Sequence, residues 1–245
     1  MLALALLLLT PLQTPSNIHA KQVVSTAIAT MGGDHYLQAN ERSGNGRVYT
    51  FGSTGDLNDP GTVFWNYFRF PSDERVELTK HRSVIYIYSA DRGWEITYKG
   101  VAPMLRKQLT QYQDANRHSL DVILKTWASN PQTLMLYQGL SSIDQAQVES
   151  VAFTTADGDT AVVDFSITTH LPMRVHWRRE DPDTGGHYEE SVIYGNWVRI
   201  GAIYTPFALD HFEGTQRVDQ RFYTNVSFAP FPDSIFQPAP LGKKH

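Results

Sequence analysis

An α+β fold of antiparallel strands is what this sequence predicts, and three observations carry the prediction. Short runs of β-branched and aromatic residues recur along most of the chain, broken by Gly, Asn, Asp and Pro at spacings that suit hairpin turns. Two stretches, residues 17–31 and 104–129, carry apolar side chains at helical spacing instead. Hydrophobic residues make up 41% and aromatics 12% of the 245 residues, so the chain can bury a large core without covalent staples.

The first helix is expected over residues 17–31, with Asn17 as its cap, Val24, Ile28 and Met31 on one stripe, and Gly32-Gly33 as its stop. A second short helix is expected over 34–41, capped by Asp34. Strands follow at 48–51, 63–70, 75–79, 83–89 and 94–99. The run 63–70 includes Phe64, Trp65, Tyr67, Phe68 and Phe70, so it is apolar on both faces and needs cover on both. Arg75, Glu77 and Thr79 alternate with Val76 and Leu78, which leaves one face of that strand wet.

Residues 104–129 return to helical spacing. Leu105, Leu109 and Tyr112 form one stripe and Leu120, Ile123, Leu124 and Trp127 another, with a bend expected at 114–116 and an end at Pro131. The remaining strands are expected at 133–138, 145–155, 160–167, 173–179, 187–194, 203–212 and 216–228. In the last of these an apolar row, Val218, Phe222, Val226 and Phe228, alternates with Arg217, Asp219, Arg221, Tyr223 and Asn225. No repeat or linker divides the chain, so residues 17–245 read as a single domain.

The absence of Cys excludes disulfides, thiol nucleophiles, thiolate metal sites and an acylated N-terminal Cys. Twenty-one Lys and Arg against 25 Asp and Glu give a net charge of -4, hence no global attraction to nucleic acid or an anionic membrane. Residues 2–9 are an unbroken apolar run followed by Thr10-Pro11, far short of the roughly 20 residues a spanning helix needs. Residues 1–16 therefore read as a secretory signal peptide, with Thr14 and Ser16 as the small residues before the cut and no Lys or Arg ahead of the apolar run. The mature protein is expected to be exported, soluble and without a lipid anchor.

Several local patterns then appear in a particular order: a helix ending in Met31-Gly32-Gly33, Asp91-Arg92-Gly93-Trp94 leading a strand, a central helical insert, His170-Leu171-Pro172-Met173-Arg174, Thr205-Pro206-Phe207 and Phe236-Gln237-Pro238. In that order the chain resembles the periplasmic outer-membrane lipoprotein-sorting carriers, the LolA-like family, across nearly all of its mature length. It departs from them before Leu171-Pro172, where Ser166-Ile167-Thr168-Thr169-His170 stands in place of an Asp-Pro step and a Gly turn. The resemblance implies an incomplete, strongly curved antiparallel β-barrel closed by helices, a periplasmic location, and an apolar cavity that receives lipoprotein acyl chains or lipid. Membrane-associated donor and acceptor proteins would be its partners, the carrier would be a monomer, and neither a cofactor nor nucleic acid is called for.

Within that expectation Val63, Trp65 and Tyr67 share one strand face and Tyr86 and Tyr88 another, with Trp94 on the next strand. Met104, Leu105 and Leu109 would approach from above, and Trp127 would close the lid helix. Parity leaves the opposite register open for 63–70, with Phe64, Phe68 and Phe70 inward. Two other readings stand beside the carrier: an envelope protein-interaction module with a solid core, and a metal-dependent hydrolase using His170, His176 and His187 with Asp181 and Asp183. Asp157-Gly158-Asp159 reads as a turn, and Glu189-Glu190 must point to opposite faces of a strand, which sets one of them inward.

Overall fold

Thirteen strands hydrogen-bond into one antiparallel, curved and unclosed sheet in the computed structural model, which describes residues 15–180 and 184–241. In chain order they are β1 (Glu41–Thr50), β2 (Thr62–Arg69), β3 (Asp73–Leu78), β4 (Val84–Tyr88), β5 (Gly93–Thr97), β6 (Gly100–Pro103), β7 (Leu134–Ile143), β8 (Ala146–Thr154), β9 (Thr160–Ser166), β10 (Pro172–Glu180), β11 (His187–Ile200), β12 (Ile203–Glu213) and β13 (Gln216–Ser227). Across the sheet the order is β6-β5-β4-β3-β2-β1-β13-β12-β11-β10-β9-β8-β7. Every neighbour is therefore a chain neighbour except β1 with β13, and the two free edges are β6 and β7. The helical insert connects those two edges, so it must pass over the sheet.

Helices α1 (Pro15–Met31), α2 (Asp34–Gln38), α3 (Arg106–Arg117) and α4 (Leu120–Val122), which continues as a π-helical turn at Ile123–Trp127, cover the concave side. Ala20, Val23, Val24, Ala27 and Met31 recur at helical spacing and are buried. They meet Leu120, Ile123, Leu124 and Trp127 over Val151, Phe153, Val163, Phe165 and Val175 of β8, β9 and β10, toward the β7 edge of the sheet. That half of the molecule is a packed core, each large side chain contributing about 1.5–3 kcal/mol by leaving water. A smaller cluster lies on the opposite, convex face, where Ile85, Ile87 and Ile96 are covered by Trp94, Phe236 and Leu241 of the C-terminal segment.

Several boundaries differ from expectation for identifiable reasons. Pro15 is already helical, so Asn17 lies inside α1 and does not cap it. The helix expected over 34–41 stops at Gln38, and β1 begins at Glu41. Arg42-Ser43-Gly44-Asn45-Gly46 has little strand propensity, yet it is paired on both sides. Gly46 is required there, because a Cβ would collide with the Phe222 carbonyl. Residues 100–103, unassigned in the sequence reading, form the edge strand β6, and Met104 and Leu105 precede the helix. The break in the insert falls at His118-Ser119, where the Ser119 hydroxyl accepts the Val122 N–H at 3.4 Å and caps the new helix.

The strand β13 shows the largest reversal. Asn45 pairs with Asn225 but Gly46 pairs with Tyr223, so Thr224 is an extra residue and the parity flips across it. Val226 and Phe228 consequently face the concave side, whereas Phe222 is 40% exposed on the convex side. Asp219, Arg221 and Tyr223, the polar row, point inward. Of the segment 1–16 expected to be a signal peptide, residues 1–14 with Thr14 lie outside the described residues, as do Asp181, Pro182 and Asp183, and Ser16 falls in the first turn of α1.

Candidate ligand-binding site

Two of the spaces on the concave side adjoin Tyr223, and their linings differ. The larger, about 280 Å³, is enclosed by β1 to β4, β13 and α3, with Phe64, Val76, Leu78, Tyr86, Tyr88 and Tyr112 as its apolar and aromatic wall. Its floor is polar: Asn66, Glu74, Asp219 and Arg221. Tyr88 and Tyr112 stack at 3.9 Å between ring centroids, which ties the sheet to α3. The smaller space, about 120 Å³, lies between α2, α4 and the sheet. There Asp121 accepts from Tyr36 at 3.0 Å and Arg42 at 3.2 Å, while Lys125 donates to the Ala39 carbonyl at 2.6 Å. Burial holds the Lys125 ammonium below the usual lysine range. Tyr223 lines both spaces and is packed edge-on against Phe64 at 5.1 Å, so its ring stands at their boundary.

Of the ten residues expected at the cavity, Tyr86 and Tyr88 line it. The strand β2 takes the opposite register: Phe64, Asn66 and Phe68 are buried toward the concave side, and Val63, Trp65 and Tyr67 face outward. Trp65 lies under the Arg82 guanidinium at 4.3 Å and Tyr67 against Phe231 at 5.7 Å, which is how large rings are accommodated on the convex face. Trp94 is likewise on the convex side, in the cluster with Ile85 and Ile87. Met104 packs against Gly93, Leu105 is 70% exposed and Leu109 is half-buried. Trp127 belongs to the packed core, edge-on to His118. What β2 obeys is not visible in its own composition, since both faces are apolar; the choice is made by its pairing with β1 and β3.

The concave face also carries a row of charges that sequence reading had only half located. Glu190, 1% exposed, accepts from Arg179 and from His211 Nε2 at 2.9 Å. His211 Nδ1 meets Asp219 at 3.1 Å, and Asp219 accepts from Arg221 Nε at 3.0 Å. These residues stand on four adjacent strands, β10 to β13, forming one cross-strand ladder. Burial works against a charged His211, but Asp219 and Glu190 outweigh it and raise its pKa to about 9. Burial likewise opposes ionised Asp219, and Arg221 and His211 overcome it, bringing that carboxyl to about 2. Arg221 is ringed by protein yet 44% exposed, because it stands in the open cavity.

His176 is engaged by Glu189 at 3.0 Å and Asp164 at 3.8 Å, whereas His170 is exposed in the β9–β10 turn and His187 at the start of β11. Among the described residues no cluster of three His, Asp or Glu side chains is placed to hold a metal ion.

The roof of the larger cavity is held differently from the rest. Helix α3 has no buried residue. Its attachments are mainly polar: Tyr112 to the Ser72 carbonyl at 3.0 Å, Gln113 to the Ala90 carbonyl at 2.6 Å, Asn116 to the Pro71 carbonyl at 2.9 Å and Arg117 to Asp159 at 3.1 Å. Such contacts are each worth about 0.5–1.5 kcal/mol net. We therefore expect α3 amides to exchange with deuterium well before those of α1, and equal protection of the two helices would show that α3 is part of the core.

A curved, unclosed antiparallel sheet with helices across its concave side is the LolA-like fold, and the chain has it. No protein-family model and no curated protein matches the chain. Similar solved structures include a DUF1329-family protein from Desulfovibrio piger, 12% identical over 91% of this chain and 98% of that one with a TM-score of 0.60. A LolA superfamily protein from Nitrosomonas europaea is 13% identical over 89% and 97%, with a TM-score of 0.56. A domain from Vibrio parahaemolyticus assigned to outer-membrane lipoprotein sorting is 8% identical over 90% and 97%, with a TM-score of 0.55. Among the described residues no helix is long and apolar enough to cross a membrane.

Proposed function

We propose that the protein is an exported carrier that takes the hydrophobic part of a lipid or an acylated protein into the cavity beneath α3. The observation that carries this reading is the aromatic cavity roofed by a helix with no buried residue of its own. At about 280 Å³ the space lies just under the 300–1,000 Å³ typical of small-ligand pockets, so loading requires α3 to lift or Tyr223 to swing aside. Burial then supplies the binding energy, about 0.8 kcal/mol per methylene, and no bond-making residue takes part. The fold likeness to a lipoprotein-sorting domain supports a periplasmic place and hand-over between membrane-associated donor and acceptor proteins.

The test is extraction of the protein purified from its native envelope, followed by mass spectrometry. A stoichiometric lipid or acylated peptide supports a carrier; an empty protein that also binds no fluorescent fatty acid supports an interaction module. A finer expectation concerns Tyr223→Ala. Removing the ring at the boundary of the two spaces should shift preference toward longer acyl chains, read as a changed order of affinities in a chain-length series, and an unchanged order would show that the smaller space is not used.

A further inference from the structure

The two spaces that meet at Tyr223 differ in charge as well as in size. Arg42, Lys125 and Asp121 are the charged residues lining the smaller one, two cations against one acid. Asp121 is already engaged, accepting from the Tyr36 hydroxyl and from one nitrogen of Arg42. Lys125 is half-buried against the rings of Tyr36 and Phe70, 4.8 and 5.3 Å from their centroids, and its hydrogen bond goes to the neutral Ala39 carbonyl. Among the described residues no carboxylate pairs with Lys125, and the charges that act on it are Asp121 and Arg42. Arg42 Nε is buried and has no hydrogen-bond partner. Glu74 also acts on Arg42, but from two strands away: Arg42 pairs with Phe68, and Phe68 with Glu74. It is a floor residue of the larger cavity, where Asn66 donates to it. The rest of the smaller space is mostly apolar, with Met31, Ile203, Leu209, Val226 and Phe228 in its wall. A buried cation without a counter-charge is costly, and an anion brought beside it recovers that cost.

We propose that the smaller space holds the anionic end, a carboxylate or a phosphate, of an amphiphile whose chain passes Tyr223 into the larger cavity, with Lys125 and Arg42 as its partners. At about 120 Å³, against about 280 Å³ beyond Tyr223, the space suits the end group of a ligand and the larger one its chain. This site, which rests on the carrier reading, narrows the class of ligand. An acylated protein, whose chains end in neutral esters or amides, would leave Lys125 without a counter-charge. A fatty acid or an acidic lipid supplies one. A hydrogen bond between charged partners strengthens binding about ten- to 100-fold.

The experiment compares dodecanoate with dodecanol, equal in chain length, by calorimetric titration of the whole protein at neutral pH. The wild type should bind dodecanoate about ten- to 100-fold more tightly, and Lys125→Met, which keeps an aliphatic stem, should reduce that ratio about ten-fold. General loss of the fold would lower both affinities together, so the ratio tells it apart from loss of the charge. With dodecanoate bound and its carboxyl isotopically labelled, the carboxyl should titrate about one pH unit lower in the wild type than in Lys125→Met, because ten-fold in affinity for the ionised form is one unit. Acetate and inorganic phosphate, which lack a chain, should not displace dodecanoate; displacement by either at millimolar concentration would make this a site for free anions and overturn the proposal. Equal affinity for acid and alcohol, or an unchanged ratio in Lys125→Met, would overturn it and leave the carrier reading standing. Binding of neither chain would overturn the carrier reading and this site with it.

Discussion

Glu190→Gln should lower the melting temperature by roughly 6–12 °C. The carboxylate is almost completely buried between Arg179 and His211, and both cations are themselves largely shielded. The amide keeps the shape but removes the negative charge, so two buried cations lose half of their compensation; breaking such a pair costs about 3–5 kcal/mol. The pH dependence follows with a definite sign. With its folded pKa near 9, above the ordinary 6.5, His211 contributes stability that is full below about pH 6.5 and is lost as the pH rises through 9. Asp219, held near 2, contributes above its ordinary value of 3.8 and is lost as the pH falls through 2. The ladder is therefore strongest between about pH 4 and 6.5. In Glu190→Gln the His211 pKa should fall toward its ordinary value, moving the alkaline loss of stability to lower pH. Thermal melts across pH would decide it, and a variant with the wild-type midpoint and the wild-type alkaline limb would show that the ladder is electrostatically idle.

Most of the strands and both long helical stretches were legible in the sequence because hairpins and amphipathic helices leave local signals. The stripe of Leu120, Ile123, Leu124 and Trp127 was visible as a buried face, and it is one. The inward-facing side of the sheet was not legible in the same way. A cavity with a wet, charged floor inverts the usual rule that polar residues mark the outside. Asp219, Arg221 and Tyr223 therefore looked like a solvent face when they line the interior, and the extra residue at Thr224 splits the apolar row that argued otherwise. The Glu189-Glu190 doublet did carry usable information, since alternation alone required one carboxylate to face inward and therefore to have partners. Its partners, Arg179 and His211, come from strands 11 and 21 residues away in sequence, and only the register of the sheet brings them together.

The second large effect tests that register and the carrier reading together. Val76→Glu should weaken binding of a fluorescent fatty acid on the order of 100-fold, whereas Trp65→Glu should leave it nearly unchanged. Val76 lines the cavity, so the new carboxylate would enter an aromatic enclosure beside Glu74 and Asp219, where Arg221 is already paired with Asp219, and the added charge must stay hydrated or protonate. Either outcome fills the acyl-chain space with water or a polar group, and the lost burial of about three or four methylenes accounts for the expected factor. Trp65 faces the other way, under Arg82 and opposite Glu77, so the new carboxylate shares the Arg82 guanidinium with Glu77 and its cost falls on the convex side, away from the cavity. The two sites are close in the sheet, Trp65 pairing with Glu77 and Asn66 with Val76, so they differ chiefly in the face they present. Equal losses in the two variants would point to general destabilisation, which far-UV circular dichroism would register. Loss in Trp65→Glu with normal binding in Val76→Glu would place the ligand on the convex surface, among Trp65, Tyr67 and Asn225, and would remove the cavity beneath α3 from the mechanism.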